Sequence, residues 1–154
     1  MPVRTEVDMR DWVLDMLRRQ EGGHDLPFAV IHLETSRAVG VTRYMEFHPE
    51  DRNLEIGGTW YGVKFQRTPV NTESKYLLLR YAFEQMGMIR VFFKTDLRNE
   101  RSQRAIERLG AVKEGVIRNH IILPNGIIRS SIYYSILLEE WPEVKLNLEE
   151  KLSK

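Results

Sequence analysis

The sequence contains no cysteine among its 154 residues. This absence excludes disulfide bonds, thiolate metal sites and a cysteine nucleophile, and it fits a cytoplasmic protein. The four histidines are scattered without the spacing of metal ligands, so we expect no metal. No apolar run approaches the roughly 20 residues of a membrane span, and residues 1–5 carry no signal-peptide pattern. The lack of such a run leads us to expect no membrane partner. Because the net charge is only +1, we expect no nucleic-acid partner.

The composition is that of one folded domain spanning residues 1–154. Hydrophobic residues make up 42% and charged residues 29% of the chain, as is typical of globular proteins, and the length suffices for one core. Apolar spacing and β-branched runs predict an α/β (α+β) order of helix, three strands, helix, strand, helix and hairpin. The predicted helices cover 8–20 and 72–86, with a third capped by Asn99, and the predicted strands cover 28–33, 38–47, 54–61 and 89–95.

Two glycine patterns add detail to the strands. Asn125-Gly126 lies between two apolar segments and predicts a β-hairpin. Gly57-Gly58 interrupts the third strand and indicates either a bulge or close approach by another chain or a ligand. After the hairpin, Trp141 opens a charged segment with the pattern of a short C-terminal helix.

The segment that leads into the second helix has the features of an anion site. A helix N-terminus offers unpaired backbone N–H groups, and the helix dipole favours an anion there. Arg67 adds positive charge, and Thr68, Asn71 and Thr72 add hydrogen-bonding groups. Pro69 has no N–H and removes one potential donor. Taken alone, the same residues are better explained as an ordinary loop and helix cap.

Several segments, taken in order, resemble one family of enzymes. They are Leu54-Glu55-Ile56-Gly57, residues 66–73, and Asn99-Glu100-Arg101-Ser102 ending in Leu109-Gly110-Ala111. From about residue 38 to residue 141 the chain resembles the Rim-like branch (the ribosomal-protein-alanine acetyltransferase type) of the GNAT superfamily of N-acetyltransferases. The sequence departs from the family pattern at Pro69 and Asn71, where the family has glycine and a small residue.

The resemblance implies the GNAT fold. Its central sheet is mixed, mostly antiparallel, flanked by helices and splayed between the third strand and the strand starting at Ile89, and the pantetheine arm of acetyl-CoA lies in the gap. The family usually begins with one more strand and helix, so we expect an N-terminally shortened fold in which segment 28–33 is an unpaired edge. Because such edges invite pairing with another chain, we expect a homo-oligomer, specifically a dimer.

The resemblance also implies which residues contact acetyl-CoA. The loop before the second helix holds the pyrophosphate, the third strand pairs with pantetheine, and Asn99 contacts the same arm. Arg104 is the candidate for the 3′-phosphate, although such a row of arginines is more often a solvated face paired with glutamates. The expected cofactor-binding residues are Trp60, Tyr61, Gln66, Arg67, Thr68, Val70, Asn71, Thr72, Asn99 and Arg104.

The same resemblance suggests acid–base groups. Glu55 is the candidate general base, because matching strand positions in the family often carry a glutamate, and the alternative is a solvent-facing salt-bridge partner. Ser102 is the candidate partner of the leaving thiolate, and the alternatives are a surface serine with Tyr133 or Tyr134 as the acid. A backbone N–H near residues 59–61 would stabilise the oxyanion.

We therefore expect an enzyme that moves acetyl from acetyl-CoA to a primary amine, either a protein N-terminus or a small amine. Direct attack in a ternary complex is expected, because a covalent route needs a cysteine or an activated serine and neither is evident. Two interpretations stay open beside this one. The chain could bind CoA without turnover, or it could be an oligomeric remnant that binds no CoA.

Overall fold

The computed structural model describes residues 3–154, which form four α-helices, one 3-10 turn and six β-strands. The helices are α1 (Glu6–Glu21), α2 (Pro69–Glu84), α3 (Glu100–Glu107) and α4 (Trp141–Leu152), and the 3-10 turn is Val63–Phe65. The strands are β1 (Asp25–His32), β2 (Arg37–His48), β3 (Asn53–Tyr61), β4 (Arg90–Asp96), β5 (Val112–Ile122) and β6 (Ile128–Leu137). None of the helices in this part of the chain has the length and apolar character needed to cross a membrane.

The strands form one mixed sheet in the order β1-β2-β3-β4-β6-β5. All neighbouring pairs are antiparallel except β3 and β4, which run parallel. The parallel ladder is short and extends only from Asn53 opposite Arg90 to Glu55 opposite Phe92. Beyond these residues the two strands separate, which confirms the predicted mostly antiparallel sheet and its splay.

Strand β1 lies at one end of the sheet and, within residues 3–154, pairs only with β2. The predicted edge position of segment 28–33 is therefore confirmed. Pro27 lies in this strand, and an edge strand tolerates a proline because its outward-facing positions need no ladder donor. The dimer that the edge suggested stays a prediction.

The hydrophobic core lies on the face of the sheet that α2 and α4 cover. Leu54 and Ile56 of β3 point to this face, since alternate residues of a strand share a face, and they are 0% and 2% exposed. Phe83 of α2 stacks on Trp141 of α4 with ring centroids 5.4 Å apart. Burying one such side chain contributes about 1.5–3 kcal/mol. The core therefore fixes the part of β3 that pairs with β4. The residues of β3 after Ile56 line a cleft.

Helix α1 lies on the opposite face of the sheet. Nη1 of Arg43 in β2 is 3.0 Å from the sulfur of Met16 in α1. The next residue of β2, Tyr44, donates a hydrogen bond of 2.6 Å to the carbonyl of Leu78 in α2. Because neighbouring strand residues point to opposite faces, α1 and α2 sandwich this part of the sheet.

The hairpin between β5 and β6 is also as predicted. The N–H of Gly126 donates to the carbonyl of Leu123 at 2.8 Å, and the N–H of Leu123 donates to the carbonyl of Ile127 at 2.9 Å. Gly126 has a φ of +80°, where a residue without a side chain avoids strain. Pro124 and Asn125 take the central positions of the turn, in agreement with the Asn-Gly signal.

Candidate functional site

A cleft of about 980 Å³ opens where β3 and β4 separate. Its walls are the splayed part of β3, the segment that leads into α2, the end of β4, and α3. Nine of the residues singled out in the sequence line it, namely Trp60, Tyr61, Gln66, Arg67, Thr68, Asn71, Asn99, Ser102 and Arg104. Three others, Glu55, Val70 and Thr72, are not among the lining residues. The cleft therefore gathers most of the predicted site from four separate segments, and the roles of these residues stay predictions.

The entry into α2 differs from the prediction. The helix begins at Pro69 and not at Thr72, and Thr68 is its N-cap. The hydroxyl of Thr68 donates to the carbonyl of Phe65 at 2.7 Å and accepts weakly from the N–H of Val70 at 3.4 Å. Proline is favoured at the first helical position because its fixed φ suits a helix and because no intrahelical partner awaits an N–H there. Pro69 therefore starts the helix instead of interrupting a loop.

The loop still offers backbone donors to an anion. The N–H groups of Arg67, Thr68 and Asn71 donate to no acceptor among residues 3–154. Arg67 has a φ of +61°, an unusual conformation for a residue with a side chain. Unpaired N–H groups at a helix N-terminus, next to an arginine, form a suitable environment for a phosphate group.

Gln66 connects the two walls of the cleft at its mouth. Its Nε2 donates to the carbonyl of Tyr61 in β3 at 3.0 Å, and its Oε1 accepts from Nη2 of Arg101 in α3 at 2.7 Å. Sequence reasoning did not single out Arg101, because a guanidinium in a helical row of arginines is usually solvated. The only available signal was its place in the first turn of α3.

At the start of α3, Asn99 is the N-cap. Its Oδ1 accepts from the backbone N–H of Ser102 at 3.1 Å. Both residues line the cleft, so capping does not remove Asn99 from the site. Arg104 also borders the cleft, but its guanidinium makes an exposed i,i+4 pair with Glu100 at 3.2 Å.

Glu55 lies at the last residue pair before β3 and β4 separate. It is only 2% exposed, so it does not face solvent as the alternative supposed, although it does form a salt bridge, with Lys94. Burial raises the pKa of Glu55, and this effect outweighs the opposing influence of the nearby Lys94 ammonium. A buried carboxylate with a raised pKa is a candidate general base on physical grounds.

Lys94 of β4 lines the cleft next to Glu55, and the sequence did not point to it. Its Nζ is 3.0 Å from Oε2 of Glu55 and donates a hydrogen bond to Glu46 of β2. Oε2 of Glu55 nevertheless has no properly oriented hydrogen-bond partner within the described residues. A lysine in a strand carries no distinctive signal, because its neighbours come from two other strands that are distant in sequence.

The glycine pair in β3 is explained by two neighbouring side chains. A Cβ on Gly57 would lie 2.6 Å from Oε1 of Glu55, and a Cβ on Gly58 would lie 2.1 Å from Nε of Arg43. Gly58 also has a φ of +56°, and the β2–β3 register shifts opposite this pair. The bulge is therefore confirmed, and the close approach comes from Arg43 and Glu55 of the same sheet.

A second unexpected lysine lies on the other face. Lys75 of α2 lines the cleft and is only 5% exposed. Its Nζ donates to the hydroxyls of Thr42 at 2.8 Å and of Thr59 at 2.6 Å. Burial lowers the pKa of Lys75 to about 7. No sequence signal predicts this ammonium, because lysine is almost never buried without a charged partner.

The two tyrosines considered as alternative acids lie on opposite faces of β6. The hydroxyl of Tyr134 donates to Glu107 at 2.9 Å, and burial together with that hydrogen bond raises its pKa to about 12. Tyr133 stacks on Phe92 with ring centroids 6.1 Å apart. Neither tyrosine is among the residues that line the cleft, which leaves Ser102 as the cleft-lining candidate.

The sequence matches the family model described as an acetyltransferase (GNAT) domain over residues 1–112. The Bacillus subtilis protein named "Putative ribosomal N-acetyltransferase YdaF" is 34% identical over 91 residues, which cover 59% of this chain and 49% of that protein. The chain therefore spans about half the length of this relative.

Solved structures share the fold over almost the whole chain. A "putative acetyltransferase" from T. thermophilus is 43% identical with a TM-score of 0.88, and the match covers 99% of this chain and 78% of that one. Mycobacterium smegmatis RimJ, solved in complex with CoA-disulfide, matches with a TM-score of 0.78. The match covers 94% of this chain and 68% of RimJ. At 18% identity, this second likeness is one of fold alone.

Proposed function

This chain belongs to the GNAT acetyltransferase family, and from that membership we propose that it moves the acetyl group of acetyl-CoA to a primary amine. The observation that carries the proposal is the cleft between β3 and β4. One end of the cleft is a helix N-terminus with unpaired backbone donors, and the other end adjoins a buried glutamate. Those are the two environments that a phosphate-bearing thioester and an ammonium acceptor require.

The phosphate end is supported by the loop before α2. Three backbone N–H groups, at Arg67, Thr68 and Asn71, have no acceptor among residues 3–154. The guanidinium of Arg101 lies across the mouth of the cleft, where it holds Gln66. We propose that these groups bind the pyrophosphate and that Asn99, Trp60 and Tyr61 border the pantetheine arm. Since β3 pairs with β4 only as far as Glu55, its remaining edge is open to that arm.

Glu55 supports the proposal that acetyl transfer takes place at the other end of the cleft. An acceptor ammonium must lose a proton before it can attack, and a carboxylate with a raised pKa accepts protons more readily than an ordinary one. The attack is direct, in a ternary complex, because the sequence has no cysteine and the Ser102 hydroxyl has no hydrogen-bonded base among the described residues. Ser102 is proposed to hydrogen-bond the departing thiolate.

The acceptor is proposed to be a protein N-terminus. The relative YdaF carries a ribosomal N-acetyltransferase name, which supports a place in the Rim-like branch and a protein acceptor. The carboxylates of Glu46 and Glu55 both lie beside Lys94 of the cleft wall. Their negative charge suits a cationic amine.

Titration calorimetry with acetyl-CoA tests the phosphate end. We compare Arg67→Glu, at the cleft, with Arg118→Glu, an exposed residue of β5 that is not among those lining the cleft. Both substitutions change the net charge equally, so a general electrostatic effect would be shared. Arg67→Glu is expected to weaken binding at least tenfold, equivalent to about 1.4 kcal/mol.

Equal weakening by the two substitutions would contradict the proposed phosphate site. No binding to the native chain would overturn the enzyme proposal and favour a fold that holds no CoA. Binding without any transfer to amines would favour a CoA-binding module that does not turn over.

A further inference from the structure

Lys94 is one of the residues that line the cleft, and its primary amine lies beside the candidate base. Its side chain is 11% exposed, and its Nζ lies 3.0 Å from Oε2 of Glu55. Lys94 is only two residues beyond Phe92, the last residue of β4 that pairs with β3. Its amine is therefore held where the two strands begin to separate, on the same face of the sheet as Glu55.

The carboxylates around Lys94 form an ammonium site rather than a simple surface ion pair. Glu46 hydrogen-bonds Nζ from β2, and Glu55, which is 2% exposed, faces it from β3. The buried Oε2 of Glu55 has no oriented hydrogen-bond partner within the described part of the chain. An unpaired buried oxygen costs free energy unless a donor reaches it, so this atom is placed to accept a proton from an amine in the cleft.

We propose that Lys94 is a site of self-acetylation, at which the ε-amine acts as an internal acceptor when acetyl-CoA is bound and no external amine is present. The inference rests on the proposed function. The nitrogen of Lys94 forms a bond to the acetyl carbon while the thioester C–S bond breaks and leaves its electron pair on sulfur. One ammonium proton goes to Glu55 and a second goes to the departing thiolate, so the products are acetyl-lysine and CoA thiol.

The other lysine in the cleft differs from Lys94 in where its amine is held. Burial lowers the pKa of Lys75 to about 7, so Lys75 needs no base, but its Nζ is fixed between the hydroxyls of Thr42 and Thr59 on the α2 face of the sheet. Lys94 lies on the other face, beside the Glu55 carboxylate that can take up its proton. Although burial lowers the pKa of Lys94, its contacts with Glu46 and Glu55 outweigh that effect and raise it, so proton transfer to Glu55 must precede attack.

Acetylation would also change the cleft. The amide of acetyl-lysine is neutral, so Glu46 and Glu55 would lose the cation that they now share. The buried Glu55 carboxylate would then be left without a positive charge at 3.0 Å. We expect the modified protein to bind cationic acceptors through these two carboxylates without competition from Lys94.

The test is to incubate the full chain with acetyl-CoA without an acceptor and to follow acetylation of each lysine by peptide mass spectrometry. Lys113, which is exposed on β5, reports simple chemical acetylation. Because Lys94 is far less accessible, only a reaction inside the cleft makes it the faster site. Glu55→Gln should slow modification of Lys94 roughly 100-fold or more and leave that of Lys113 unchanged.

Lys94→Arg keeps the positive charge and serves as the matched variant. It should lose the modification while it still binds acetyl-CoA by calorimetry and retains the unfolding midpoint. If Lys94 stays unmodified in the incubation without an acceptor, while the same protein acetylates an amine in a separate incubation, the inference is wrong and the proposed function stands. If acetyl-CoA does not bind, both are wrong. If Lys94 and Lys113 react equally fast, or Lys75 reacts instead, the assignment of Lys94 is overturned.

Discussion

Replacing Lys75 with methionine should remove a pH dependence of stability that the native chain carries. In the folded protein, burial lowers the pKa of this ammonium from 10.5 to about 7. Each pKa unit corresponds to about 1.4 kcal/mol, so keeping the ammonium charged in this position costs about 5 kcal/mol. Two hydroxyl acceptors, Thr42 and Thr59, are its hydrogen-bond partners.

The direction in which stability changes with pH follows from proton binding in the folded and unfolded states. Between pH 7 and 10.5 the unfolded chain keeps the Lys75 proton, whereas the folded chain loses it, so the unfolded state binds more protons and stability rises with pH. From pH 7 to pH 9 this group alone should add about 2 kcal/mol to the free energy of unfolding. Below pH 7 the lysine is charged in both states and its effect is constant.

Methionine fills a similar volume without a charge. The hydroxyls of Thr42 and Thr59 remain 2.9 Å apart and hydrogen-bond each other, so the substitution leaves neither without a partner. Lys75→Met should therefore be more stable than the native chain at pH 7, and the difference should shrink by about 2 kcal/mol at pH 9.

Urea unfolding at pH 7, 8 and 9 measures this difference for the native chain, Lys75→Met and the control Lys64→Met. Lys64 is exposed in the 3-10 turn, so its variant should follow the native chain at every pH. If the difference between Lys75→Met and the native chain is the same at pH 7 and pH 9, the lysine titrates normally and the reasoning is refuted.

Three further predictions concern Glu55 and Gly58. If Glu55 takes the amine proton, Glu55→Gln should lower kcat by about 10²–10⁴-fold. Glu46→Gln should lower kcat less, and steady-state kinetics of both variants checks this. Because burial raises the pKa of Glu55, the native rate should fall as the pH drops through that pKa, and a pH profile without this limb would contradict the role. Gly58→Ala should destabilise the fold by more than about 2 kcal/mol in urea unfolding, because the new Cβ meets the Arg43 guanidinium at 2.1 Å and the buried Asp25 carboxylate holds that guanidinium in place at 2.8 Å. Gly126→Ala, which shares a positive φ but has open space, should cost only about 1 kcal/mol.

Much of the fold could be predicted from local sequence patterns. The hairpin at Asn125-Gly126 depends on residues that are neighbours in the chain, whereas the edge position of segment 28–33 came from the family resemblance, and both agree with the structure. The start of α2 was predicted three residues late. A threonine followed by proline is itself a helix-start signal, but the prediction assigned both residues to the loop before the helix.

The two cleft lysines could not have been predicted in the same way. The environment of Lys94 is set by its ion pairs with Glu46 and Glu55, which lie on two other strands. Lys75 is buried only because α2 crosses β2 and β3 at Thr42 and Thr59. Such environments arise from tertiary packing, and single-sequence patterns carry no information about which side chains meet. The dimer and the cytoplasmic location, for their part, stay predictions.

The central claim is acetyl transfer to an amine, and release of CoA thiol tests it most directly. The chain has no cysteine, so a thiol reagent detects released CoA without background from the protein. We would incubate the chain with acetyl-CoA and a panel of peptides with free N-termini and small amines, and confirm the acetylated amine by mass. Beyond the single equivalent per chain that self-acetylation of Lys94 can release, thiol release should require an added amine, equal the acetylated product in amount and fall sharply in Glu55→Gln. Bound acetyl-CoA with no amine-dependent release across the panel would contradict it.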